Sequence, residues 1–179
     1  MLASEVESKF PPGVEMPSPI RALCDYLDQH DYPLSGCFEI STIGDDDMRA
    51  WFPGDLAMQH TFAVFGRGST GSVYAIWLRD DNPTEDCPVI VLGSEGELLV
   101  LAVDSFQFCR LLGCGYSELE WDDLTLPSPE WNDTKPLRDW LAKHMEISFP
   151  KTGLEIVTTA RKQYTDFPMF VQSWWDANT

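Results

Sequence analysis

Gly66, Gly68 and Gly71 stand in the spacing G-x-G-x-x-G, and Val73 extends it to G-x-G-x-x-G-x-V, a pattern that can cradle nucleotide phosphates. Phosphate binding needs more than glycines. A dinucleotide site requires a helix N-terminus directly after them, whose free N–H groups and dipole hold the pyrophosphate. Here Ser72 to Leu78 reads as a strand. A kinase loop does run into a strand, but a lysine, an H-R-D and a D-F-G must follow. Trp77 and Leu78 stand where the lysine is sought, and neither triplet occurs. The glycines are expected to supply positive φ in a tight turn, and nucleotide binding is not expected.

Other chemistry is equally short of partners. A nucleophilic Ser or Cys needs a base, and G-x-S-x-G is absent. Gly113-Cys114-Gly115 reads as a helix stop around a small residue, with no histidine near it in sequence. Paired carboxylates can do acid–base work, but with 29 acidic side chains close pairs arise from composition alone. Cys24, Cys37, Cys87, Cys109 and Cys114 form no C-x-x-C pair, and His30, His60 and His144 are scattered singly, so no metal and no cofactor are expected. Enzymatic activity is not expected either.

Charge is the strongest compositional fact. Twelve basic side chains against 29 acidic ones give a net charge of −17. Residues 1–134 hold 6 basic and 24 acidic groups, and residues 135–179 hold 6 and 5, so the negative field belongs to the first part. Such a surface repels phosphate backbones and anionic membranes and speeds encounter with a basic protein. Simple solubility is the competing account of the same charge. Neither direct nucleic-acid binding nor membrane association is expected, and a monomer is the expected free state. The N-terminus has no signal-peptide pattern and no apolar run reaches a membrane span, so a cytoplasmic location is expected.

The elements that must position any site follow from periodicity. Apolar runs between Thr61 and Val103, broken by Gly, Ser, Asp and Asn, predict hairpin-connected antiparallel strands. Asp104, with Gln107 in capping-box position, starts a helix that runs to Leu112 and stops at Gly113 and Gly115. Residues 1–17 read as an irregular lead-in to one domain over 18–179. A helix begins near Ser18 and ends before Tyr32-Pro33, and a strand is expected from Cys37 to Ile43. Further helices are expected from Thr134, from Leu154 to Tyr164, and from Asp166, the last with a wide aromatic face of Phe167, Phe170, Trp174 and Trp175. That face either docks onto the domain or marks a partner site. With 44% hydrophobic residues the chain can fill a sizeable core.

The ordered set Phe62 to Gly66, Tyr74 to Leu78, Pro88 to Gly96 and Asp104 to Leu112 resembles the SUKH superfamily. In that family an aromatic strand ends in a Gly-rich turn, a Y-A-x-W-L strand follows, and P-V-x-x-L-x-x-E-G leads through another strand to a helix. The resemblance covers about 110 residues when the later helices around Trp140 and Phe167 are counted, and these match in character only. It implies an α+β domain, a mainly antiparallel sheet with helices packed against it. It also implies an immunity protein that neutralises a cognate secreted toxin, often a nuclease, or else a regulatory scaffold for a cellular protein. No catalytic residue carries over.

Charge steering toward a basic toxin is assigned to Asp80, Asp81, Glu85 and Asp86, with Asp45, Asp46 and Asp47 or the segment of Glu118, Glu120, Asp122 and Asp123. Trp51 and Trp131 are the candidate exposed anchors.

Overall fold

A computed structural model describes residues 1–30, 34–42, 44–79, 82–128 and 134–178, with residues 44 and 45 described by their backbone. Asp80, Asp81 and Trp131 lie outside the described residues, as does the Asp45 side chain.

Five strands form an antiparallel meander in chain order: β1 (Phe38–Ile40), β2 (Phe62–Gly68), β3 (Val73–Trp77), β4 (Val89–Leu92) and β5 (Leu98–Ala102). The α+β architecture with a central antiparallel sheet is as expected. β3 and β4 are buried along their whole length, because both faces of the sheet are covered. Successive side chains alternate between two cores. Ala63, Phe65, Tyr74, Ile76, Val89 and Val91 point to one. Phe62, Val64, Val73, Ala75, Trp77, Ile90 and Leu92 point to the other.

The first core is closed by α1 (Leu2–Glu7), α2 (Ser18–Gln29), α5 (Ser105–Leu112) and α6 (Lys135–Met145). The second is closed by α3 (Gly44–Trp51), α4 (Leu56–Gln59), one side of α7 (Leu154–Gln163) and α8 (Phe167–Asn178). The aromatic face of α8 is docked. Phe167 and Val171 are fully buried, Trp174 donates its indole N–H to Asp55 Oδ2 at 2.7 Å, and Trp175 stacks on Trp51.

Several expectations are corrected. Residues 1–17 are not an irregular lead-in: α1 occupies part of them, and Ala3, Val6, Phe10 and Met16 are core residues. A six-residue helix spans fewer than two turns, too little for its apolar residues to register as periodicity. Glu7 ties the segment down by accepting from the Met16 N–H at 2.7 Å and from Arg21 at 2.8 Å. The strand expected from Cys37 to Ile43 shrinks to three residues, since Cys37 is left-handed at φ 48° and α3 begins at Gly44. Of the three motif glycines only Gly71, at φ 89°, needs positive φ. Gly66 and Gly68 lie within β2, and a Cβ on Gly66 would run into the Phe38 ring. The chain after them is a strand, as read.

Asp104 caps α5 by accepting from the Gln107 N–H at 2.6 Å, although the Gln107 side chain accepts from Arg110 instead of closing the capping box. Thr134 stands at the N-cap of α6 without a side-chain bond, and Asp166 pairs with Arg79 at 2.7 Å. His144 is exposed and stacked on Trp140, with ring centroids 4.0 Å apart.

Candidate docking face

The acidic clusters differ in what holds their carboxylates. Asp47 forms a two-point ion pair with Arg67, and Asp46 lies 3.5 Å from Arg49. The Asp47 charge is answered locally, while Asp46 and Arg49 are both exposed and only loosely paired. Glu85 accepts from the N–H and the hydroxyl of Ser18 at 3.1 and 2.9 Å, where a carboxylate suits the N-terminus of α2. Asp86 is exposed on the same short 3₁₀ turn, Thr84–Asp86.

The segment from Ser117 to Leu126 behaves differently. Glu118 Oε2 accepts from Ser69 Oγ at 3.1 Å, and Glu120 Oε1 accepts from Ser72 Oγ at 2.5 Å and from Tyr74 OH at 3.1 Å. Asp122 accepts from the Glu118 N–H at 3.0 Å, and Asp123 accepts from the N–H and hydroxyl of Thr125. Every donor is neutral. Among the described residues none of these four carboxylates pairs with a cation. Hydrogen bonds from hydroxyl and N–H groups fix a carboxylate without cancelling its charge.

Burial pushes the Glu118 carboxyl above its ordinary range, and its Oε1 is buried with no hydrogen-bond partner among the described residues, the Cys37 thiol lying beside the group. The phenol of Tyr74 is driven far upward by burial and by Glu120, so it remains a donor. The Thr125 hydrogen bonds hold the Asp123 carboxyl below its ordinary value.

Tyr116 fastens the other end of the segment. Its buried hydroxyl accepts from the Gly153 N–H at 2.8 Å and faces the carbonyls of Leu126 at 2.6 Å and Leu124 at 3.1 Å. Loop and α7 are thereby stitched together, and a cleft of about 210 Å³ opens between them. The loop thus has fixed anchors on the β2–β3 hairpin and on α7.

On this rigid loop Trp121 stands 56% exposed between Glu120 and Asp122, with Leu126 at 58% nearby in the chain and Leu154 at 47% across the cleft. These are three of six large apolar side chains that stand exposed among the described residues, and all three belong to the acidic loop or to α7, which faces it across the cleft. Trp51 is not the exposed anchor expected, because its ring is half-buried and stacked on Trp175 at 5.3 Å. Trp121 was missed by sequence reasoning. Its signal was an aromatic set among four acids, off any helical or strand stripe.

The cysteines show no activated thiol. Burial pushes Cys24 up to about 12 and Cys114 to about 11, and Cys114 lies 3.5 Å from the Arg110 and Pro150 carbonyls as a donor. Among the described residues no three His, Cys, Asp or Glu side chains group to hold a metal ion, and no helix is long and apolar enough to cross a membrane. Comparison of the chain with protein families, curated proteins and solved structures finds no match in any of the three.

Proposed function

We propose that this chain is an immunity protein, a stoichiometric inhibitor that binds a basic secreted toxin and blocks it by occupying its surface. One observation carries the reading: an exposed tryptophan on a hydrogen-bonded loop among four carboxylates that have no cationic partner among the described residues. Tryptophan is the residue type most enriched at binding hot spots, and uncancelled carboxylates around it steer a basic partner and exclude acidic ones. The SUKH resemblance points the same way, and the net charge of −17 suits the same partner class.

The test is a pull-down of the tagged protein from its native cells, with the product of the neighbouring gene, at low and high salt. Recovery of a basic toxin domain at one-to-one stoichiometry is expected. Trp121→Ala should lower that affinity by about 2 kcal/mol or more while leaving the melting temperature nearly unchanged. Recovery of endogenous cellular proteins alone would overturn the reading in favour of a regulatory scaffold.

A further inference from the structure

The cleft between the acidic loop and α7 has a definite chemistry. Leu119 and Leu124 on the loop and Leu154 and Val157 on α7 give it apolar walls, and Glu120, Asp122 and Asp123 set carboxylates along the loop side. The buried residues of α7 are Ile156, Val157 and Ala160. Leu154 and Arg161 are left to line the cleft instead. Three carboxylates against one guanidinium leave it net negative, and Arg161 makes no ion pair or hydrogen bond among the described residues.

Apolar walls with a carboxylate rim match a side chain that has a long aliphatic stem and a cationic head. We infer that this cleft seats an arginine or lysine side chain projecting from the partner, an assignment that rests on the inhibitor reading above. The stem lies along Leu124, Leu154 and Val157, the head meets Asp122 and Asp123, and Trp121 covers the neighbouring backbone of the partner. Arg161 weakens the fit by its like charge. It is therefore a tuning residue, and its removal strengthens binding.

The probe is an acetylated, amidated pentapeptide with one central arginine flanked by leucine and glycine, titrated into the isotope-labelled full chain at about 50 mM salt, where screening is weak. Amide shifts should be confined to residues 119–125 and 154–161. Replacing the arginine by norleucine, or making Asp122→Asn with Asp123→Asn, should weaken binding about tenfold or more, and Arg161→Ala should tighten it about threefold. Shifts elsewhere, or equal binding of the norleucine peptide, would overturn the assignment. The same variants are then measured against the neighbouring gene product. Toxin binding that depends on Trp121 but ignores Asp122, Asp123 and Arg161 would sink the cleft assignment and leave the inhibitor reading standing. Failure to bind any toxin would sink the inhibitor reading, whatever the peptide does.

Discussion

Glu118 stands against the usual preference for carboxylates to be paired or solvated. Its carboxyl is raised by burial, so the folded state binds its proton more tightly than the unfolded chain does. The stability this contributes is complete below the ordinary value of 4.5 and is lost as pH rises through the higher folded value. Once ionised, the group therefore opposes folding. Glu118→Gln should narrow the stability difference between pH 5 and pH 7.5 relative to the parent chain, as read from urea melts at both values. An unchanged difference would remove Glu118 from that role. Tyr116 works in the opposite sense, satisfying the Gly153 N–H inside the fold. Tyr116→Phe should cost about 1–3 kcal/mol by orphaning that donor, and it should also loosen the cleft. A melt that does not move would show that water replaces the hydroxyl.

At the scale of elements, what was legible followed from repetition. β2 to β5 were visible because alternating apolar side chains serve two cores, and α5 because Asp104 caps it. α1 and α4 were not, since helices of six and four residues are too short to show periodicity; α1 is tied down through Glu7 to the Met16 N–H, and α4 carries only a local cap from Asp55 to the Met58 N–H. The acidic loop was legible as charge and illegible as a surface, because its anchors Ser69, Ser72 and Tyr74 lie 46 to 49 residues away in the chain. The docked α8 shows the same dependence on distance. Phe167 is fully buried against Trp77, with ring centroids 5.0 Å apart. Phe167→Ala should cost about 3–5 kcal/mol, enough at this size to lower the melting temperature by about 6–20 °C. Differential scanning calorimetry would reveal a smaller loss if α8 merely frayed.

For the whole molecule, the net charge of −17 acts through the field as well as through contacts. Association with a basic partner should be fast at low salt and slow steeply between about 0.05 and 0.5 M, where the Debye length falls below the span of the docking face. Neutralising Glu118, Glu120, Asp122 and Asp123 together should flatten that salt dependence more than neutralising Asp46, Asp47, Glu85 and Asp86, of which Asp47 is answered locally and Glu85 is engaged in a cap. Stopped-flow association rates decide it, and equal flattening would return the steering role to the whole surface.

The Trp51–Trp175 contact joins residues 124 positions apart, and that separation becomes a delay during synthesis. A ribosome adding about 5–20 residues per second needs roughly 6–25 s to cover it. Until α8 emerges, Phe52, Phe62 and Trp77 lack part of their cover, so the nascent chain presents an open aromatic face after its strands are made. A chaperone that recognises exposed aromatics has its longest opportunity there, and the second core closes only after that interval ends.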